Sequence, residues 1–194
     1  MKRLSVCFFA LLFISLVEVS ASAQTAQVPV AMFGNTVDHV YSNTLMGIKL
    51  EIPKEMEVDE PQRAAVQMPT SQLAGSIFAG KTLTLIPLVS ARVAPVSMII
   101  TGAKLPLHLK DTTGEAILND ALFRRAADPK AKVEKLGNNT FAYVDGKTRF
   151  NQNRAYALVK RGYYISIVLM YTTEDDLNTL RSYIAAANFD WNGK

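Results

Sequence analysis

The sequence is poor in the side chains that most often carry out catalysis. Its only cysteine is Cys7, and its only histidines, His39 and His108, lie far apart. No serine stands in a Gly-x-Ser-x-Gly motif, and Gly75 and Gly102 lack the neighbouring glycines of a phosphate-binding loop. The sequence therefore argues against a cysteine-based zinc site and a hydrolase of the nucleophile-elbow type. It also argues against a thiol nucleophile, because Cys7 lies within residues 1–23, which are predicted to be removed as a signal peptide.

Two groups of possible metal ligands remain. Asp38 precedes His39, and His108 could join this pair if the fold brought the two histidines together. The acidic run 174–176 lacks the alternate-position spacing of a calcium loop. We expect His39 to lie on the surface, His108 to pack at the edge of the core and the acidic run to cap a helix. The sequence thus predicts no metal and no cofactor.

Tyrosine is concentrated in the C-terminal half of the chain. Alternation along the segment 163–171 puts Tyr163 and Tyr171 on one side of a strand and Tyr164 on the other. The first explanation for these residues is the core of a sheet, and the second is a face that binds a ligand or a partner. The candidates for such a binding face are Tyr143, Tyr156, Tyr163, Tyr164 and Tyr171.

Strands are the elements that would position these side chains. The segment 47–53 alternates apolar and charged residues and ends at a proline, as a half-buried strand does. The segments 82–88 and 95–101 are rich in β-branched residues next to proline or glycine, and they also predict strands.

The region 133–171 predicts a meander of antiparallel strands. One strand is expected to end at Asp145-Gly146, a dipeptide that is favoured in two-residue hairpin turns. A second strand is predicted over 154–160, and Arg161-Gly162 would be the turn that follows it. The last segment, 163–171, is apolar almost throughout, which suits a central strand that is covered on both faces.

A first helix is predicted over 116–127. Thr112 and Glu115 before it have the three-residue spacing of a capping box, and Pro129 closes it. Its apolar residues recur at helical spacing, which is typical of a helix that packs one face on a core. We prefer that interpretation to a helix that lies on a membrane surface.

A second helix is predicted after the last strand. Thr173 is the expected N-cap, and the acidic run 174–176 fills the first turn, where the helix dipole favours negative charge. An apolar stripe through Leu177 and Leu180 is expected to cover the sheet, with Arg181 outside the stripe.

The N-terminal residues 1–23 are predicted to form a secretory signal peptide. Two basic residues precede an apolar run too short to span a membrane, and small residues precede Ala23, where cleavage would leave Gln24 first. Because Cys7 lies within this segment, we expect neither a disulfide nor a lipid anchor. The prediction is an exported protein, periplasmic or secreted, with no membrane span in its mature form.

The remaining chain predicts a flexible lead-in at 24–39 and a single domain at 40–194. The predicted elements make this domain an α+β protein, with a mostly antiparallel sheet packed by helices in an α/β/α sandwich. The chain has 194 residues, 49% of them hydrophobic and 20% charged, which fits a globular protein. Its net charge of +4 is small, and its basic residues are scattered along the chain, so nucleic acid is not an expected partner.

Both ends of the predicted domain contain short motifs. The first is Tyr41-Ser42-Asn43, then Gly47-Ile48 and a strand that closes at Pro53. The second is the aromatic-rich segment 163–171, followed by an acidic helix start and a helix that runs to Asn188-Phe189. With these motifs the chain resembles the PsbP-like family. The resemblance implies an α/β/α sandwich and a small non-enzymatic binding or assembly factor, as in lumenal and bacterial envelope proteins. It transfers no catalytic residue.

Two classes of function are compatible with these observations. The first is an exported non-catalytic binding or assembly protein of the cell envelope or periplasm, whose partner is an unknown envelope protein or a small ligand. The alternative is a carboxylate- or metal-dependent hydrolase whose site residues are dispersed along the sequence. A cleft that gathers two carboxylates, or a carboxylate with both histidines, would favour the hydrolase.

We predict that export removes the signal peptide after Ala23. The small side chains before this bond fit the pocket of a signal peptidase. The intact mass of the exported protein should therefore correspond to residues 24–194. A retained Met1 or a fatty-acyl adduct in the mass spectrum would contradict this prediction.

Overall fold

The computed structural model describes residues 29–59, 65–69, 76–79, 82–120, 130–148 and 151–193. The predicted signal peptide, with its cleavage site at Ala23 and Gln24, lies outside the described residues. Regular structure begins with a 3-10 turn at Val30–Met32. The latter part of the predicted lead-in is therefore structured, and the folded region begins before residue 40.

A small antiparallel sheet contains the first three strands, β1 (Asn35–Val37), β2 (Val40–Asn43) and β3 (Ile48–Glu51). Asp38 and His39 form the turn between β1 and β2, and their φ angles are 48° and 63°. A two-residue hairpin turn of type I′ requires positive φ at both positions, so these angles follow from the hairpin.

Within the described residues, a larger antiparallel sheet contains eight strands in the order β4-β6-β7-β11-β10-β9-β8, with β5 paired to β6 as well. This confirms the predicted antiparallel sheet, and β11 lies in its interior as the apolar sequence predicted. The strands are β4 (Glu57–Asp59), β5 (Val66–Pro69), β6 (Thr82–Val93), β7 (Val96–Lys104), β8 (Lys132–Leu136), β9 (Asn139–Lys147), β10 (Gln152–Lys160) and β11 (Tyr163–Tyr171).

The predicted turn at Asp145-Gly146 is wrong, because both residues lie inside β9. Asp145 pairs with Arg154 of β10, and Gly146 pairs with Asn153. A Cβ atom at Gly146 would come within 2.6 Å of the Asn153 Oδ1 atom, so a larger residue here would have to displace the end of that side chain. The chain turns later, where the Thr148 amide donates to the Asn151 carbonyl at 2.8 Å.

The first helix, α1 (Gly114–Leu118), is shorter within the described residues than the prediction of 116–127, and residues 121–129 lie outside them. Thr113, and not Thr112, caps this helix, because its Oγ1 atom accepts the Ala116 amide at 3.1 Å. After the helix, the buried Asp120 carboxylate accepts the Ser76 hydroxyl at 2.7 Å. This bond ties the end of α1 to the segment 76–79.

The second helix, α2 (Glu174–Ala186), confirms its prediction. The Thr173 side chain accepts the Asp176 amide while the Asp176 carboxylate accepts the Thr173 amide, which completes a capping box. These bonds lower the pKa of Asp176. Leu177, Leu180 and Ile184 are buried as the stripe predicted.

Each face of the larger sheet carries its own hydrophobic core. On one face, α2 and the small sheet pack on the side of β11 that holds Ile165, Ile167 and Leu169. On the other face, α1 and the segment 76–79 pack on the side that holds Tyr164. These two layers around the sheet make the predicted α+β sandwich. None of the described helices has both the length and the apolar character needed to cross a membrane.

We predict that Leu180→Ala lowers the free energy of unfolding by about 2–5 kcal/mol, because it leaves a cavity between α2 and the sheet. Thr179→Ala is the matched control, because Thr179 is exposed on the same helix, and we expect it to change the free energy by less than about 0.5 kcal/mol. Urea denaturation of both variants measures the difference. Equal unfolding midpoints would mean that α2 does not pack on the sheet.

Candidate functional site

The structure separates the five tyrosines of the predicted binding face. Tyr156, Tyr164 and Tyr171 are buried, with exposed fractions of 0%, 2% and 2%. Tyr143 and Tyr163 are half-buried. Tyr164 also lies on the opposite side of the sheet from the other four. Core packing, the first explanation for these residues, accounts for the three buried rings, and the binding face remains a prediction for the two accessible ones.

A carboxylate lies at the centre of a polar cluster next to these tyrosines. Glu134 of β8 has a side chain that is only 16% exposed. Its Oε1 atom accepts a short hydrogen bond from the Tyr156 hydroxyl and lies 3.5 Å from Arg154 Nη1. Its Oε2 atom accepts Arg181 Nη2 of helix α2 at 2.5 Å. One side chain thus joins β8, β10 and α2.

Arg154 connects the cluster to strand β9. Its Nε atom donates to Asp145 Oδ1 at 2.6 Å across the β9–β10 pair. Its guanidinium carbon lies 4.3 Å from the centre of the Tyr143 ring, and Lys132 Nζ lies 5.9 Å from the same ring. The guanidinium is therefore fixed against an aromatic face by carboxylates on both sides. We call the following residues the Arg154 cluster: Lys132, Glu134, Tyr143, Asp145, Arg154, Tyr156 and Arg181.

The electrostatics of the Arg154 cluster keep its protons in place. Burial raises the pKa of Tyr156 well above its ordinary value, and the hydrogen bond to Glu134 raises it further. Burial lowers the pKa of Arg154, but hydrogen bonds with Asp145 and Tyr156 outweigh this effect and raise it overall. Tyr156 remains a neutral donor and Arg154 a cation near neutral pH. The arrangement suits the positioning of charge better than the transfer of protons.

Sequence reasoning missed Glu134, Asp145, Arg154 and Arg181. A usable signal was present, because Asp145 and Arg154 each stand two residues from a tyrosine and so share its side of the strand. Polar residues in the apolar set of a strand indicate a place where the core ends or a polar cluster begins. Arg181 was expected outside the apolar stripe, and it is in fact held by Glu134 from another element.

An open groove of about 470 Å³ lies at another place, beside the β1–β2 turn. Both of its acidic residues have neighbouring partners: Glu57 pairs with Arg92 Nε at 3.3 Å, and Glu55 lies beside Tyr183. Burial and the contact with Glu55 raise the pKa of Tyr183. The residues that line the groove are Thr36, His39, Lys54, Glu55, Met56, Glu57 and Val58.

The two histidines are not brought together. His39 lines the groove, whereas the exposed His108 lies 3.4 Å from the carbonyl oxygen of Ile77, beside the core that contains α1. In the parts of the chain that the structure describes, no group of three or more histidine, cysteine or acidic side chains is arranged to hold a metal ion. Within the acidic run 174–176, Asp176 caps α2, as expected.

No protein-family model matches the sequence, and no curated protein matches it. Among solved structures, the solution structure of cyanobacterial PsbP (CyanoP) from Synechocystis sp. PCC 6803 is similar to this chain. The two sequences are 15% identical, the match covers 84% of this chain and 95% of that one, and the TM-score is 0.43. The matched protein carries the name of the family that the sequence resembles.

We predict strong energetic coupling between Glu134 and Arg154. Both side chains are at least four-fifths buried, so removing one leaves the other without its partner in a poorly solvated place. A double-mutant cycle of Glu134→Ala and Arg154→Ala should give a coupling energy of about 1–3 kcal/mol in urea unfolding.

The control for this cycle is the pair of Glu57 and Arg92, whose side chains are 71% and 47% exposed. Solvent screens such a pair, so its coupling energy should be about 0.5 kcal/mol or less. Equal coupling in the two cycles would mean that the Arg154 cluster is no more rigid than an ordinary surface ion pair.

Proposed function

We propose that this chain is an exported, non-catalytic binding or assembly protein of the cell envelope or periplasm, and that it contacts a partner protein through the surface around Tyr143 and Arg154. The observation that carries the proposal is the stacking of Arg154 on Tyr143, at 4.3 Å, within a set of carboxylates. Export is supported by the sequence features that precede Ala23.

The composition of this surface supports a protein partner. Tyrosine and arginine are the residue types that most often contribute large binding energies at protein interfaces. A side chain that is already held in one conformation loses little entropy when a partner binds. Arg154 is held by Asp145 and Glu134, and its position on Tyr143 is fixed before any partner arrives.

The same contacts argue against chemistry at the Arg154 cluster. A carboxylate offers about four sites for hydrogen bonds, and Glu134 already accepts Tyr156, Arg154 and Arg181. It has little capacity left to remove a proton from a substrate. Tyr156 cannot replace it as a base near neutral pH, because its raised pKa keeps the hydroxyl protonated.

The groove beside the β1–β2 turn favours the alternative, a carboxylate-dependent hydrolase. It gathers Glu55, Glu57 and His39 within one concave surface, which the sequence could not place together. Both carboxylates, however, already have partners in Tyr183 and Arg92. The Arg154 surface is therefore the better supported of the two sites.

A photocrosslinking amino acid in place of Tyr143 tests the proposal in the organism that produces the protein. We expect a discrete crosslinked product with one envelope protein, because the side chain would lie within the interface. The same amino acid in place of Thr179, which is exposed on α2, should give no such product. Arg154→Ala in the crosslinking background should reduce the yield at least about tenfold, as loss of an interface hot spot does.

A second variant separates the two candidate sites. Glu55→Gln together with Glu57→Gln removes the charge of both groove carboxylates and leaves the Tyr143 surface intact. The crosslink should persist in this variant. If the crosslinked product were lost in this double variant and persisted in Arg154→Ala, the proposal would be overturned and binding would be assigned to the groove.

A further inference from the structure

The end of the sheet farthest from the Arg154 cluster combines basic and apolar side chains. Arg154 and Arg161 are seven residues apart along β10 and its turn, which corresponds to about 20 Å in a strand. We call this far end the basic tip. It contains the exposed residues Leu45, Lys104, Leu107, Lys110 and Arg161 and the half-buried Trp191.

Leu107 is the most exposed large apolar residue among those described, with an exposed fraction of 82%. Its neighbours Leu105 and Leu109 are buried in the core, and they anchor the 3-10 turn at Leu107–Leu109 on both sides. Pro106 restricts the backbone directly before it. The backbone at Leu107 is thus held in place while its side chain projects into solvent, where it adds little to the core.

Hydrogen bonds hold the other parts of the basic tip next to this turn. The Leu105 amide donates to the Gly162 carbonyl at 2.9 Å, which joins the turn to Arg161-Gly162. The Arg161 guanidinium donates to the backbone carbonyls of Asp190 and Trp191 at 3.0 and 3.3 Å. The Trp191 amide in turn donates to the Gly47 carbonyl at 2.9 Å, which brings in the turn that carries Leu45.

The charge of the basic tip is positive. Its basic residues are Lys104, Lys110, Arg161 and, at the end of β10, Lys160. Its acidic residues are Asp111, 3.8 Å from Lys110 Nζ, and Asp190, 2.6 Å from Lys160 Nζ. Exposed leucines and a tryptophan with basic residues around them are the side chains that suit the boundary between lipid headgroups and acyl chains.

We propose that the basic tip docks on an anionic lipid bilayer. Leu107 would insert at the level of the headgroups, and Lys104, Lys110 and Arg161 would contact lipid phosphates. This interaction is separate from the proposed partner surface and does not depend on it.

The shape of the basic tip favours a bilayer over a second protein as its occupant. A specific protein interface buries about 1,200–2,000 Å² of surface, around a well-packed apolar centre. Leu107 instead projects from its 3-10 turn, with Lys104 and Lys110 three positions before and after it in the sequence, so a protein would need a matching pocket. A bilayer accepts a projecting side chain without one, and each basic residue near an anionic surface adds to the affinity.

Co-sedimentation with vesicles tests the proposal, with the exported form of the protein and its variants compared side by side. The vesicles contain phosphatidylcholine alone, or phosphatidylcholine and phosphatidylglycerol in equal amounts. We expect binding to the anionic vesicles only. Leu107→Ser should weaken it about tenfold, and Lys104→Gln or Lys110→Gln about fivefold each.

The matched control is Val37→Ser. Val37 is 58% exposed and lies at the opposite end of the small sheet from the turn that carries Leu45, so this change should leave vesicle binding unaltered. Equal unfolding midpoints of Leu107→Ser and the unaltered protein would verify that both are folded. Absence of binding to anionic vesicles would overturn the proposal and favour a protein partner. Equal binding by Leu107→Ser would also overturn it, because charge alone would then hold the protein on the vesicle.

Discussion

The architecture depends on one constraint: the central strand β11 is apolar on both sides, and both sides must be covered. Ile165 and Ile167 point to one core and Tyr164 to the other. A layer on each face is the only way to remove all of these side chains from water. Helix α2 with the small sheet forms one layer, and α1 with the segment 76–79 forms the other. The antiparallel order of the sheet places both layers close to β11 and its neighbours.

The Arg154 cluster lies at the margin of one of these layers, next to the buried Tyr156 and the half-buried Tyr143. Buried ion pairs contribute little net stability, because desolvation of the charges offsets much of their attraction. Their effect is on position: Glu134 can satisfy Tyr156, Arg154 and Arg181 together only when α2 and the strands are in register. The cluster therefore fixes the position of helix α2 relative to the sheet edge. It also holds Arg154 in place on the Tyr143 ring, so the surface at Tyr143 is rigid.

The sequence predicted those features that depend on local pattern. Period-two alternation gave the strands and the two sides of β11, and the stripe through Leu180 gave the buried face of α2. The failures came from contacts between residues distant in the chain. Asp145-Gly146 has the local preference of a turn, but Arg154 of the facing strand holds Asp145 within β9. Arg181 looked external to its helix because Glu134, its partner, belongs to β8. Alternation likewise sorts tyrosines by side, but it cannot tell which side another element covers.

The two proposed surfaces lie at opposite ends of β10, and the sheet sets the distance between them. Each residue of β10 lies opposite a residue of β11 in the antiparallel register, and the first part of the strand is also paired with β9. A strand that is paired on both sides bends little, so the distance between its two ends is nearly constant. With the basic tip on a bilayer, the Tyr143 surface would stand about 20 Å away from the lipid headgroups. A partner bound there would be held at a defined height above the membrane, which is a spacing function that requires rigidity and no catalytic group.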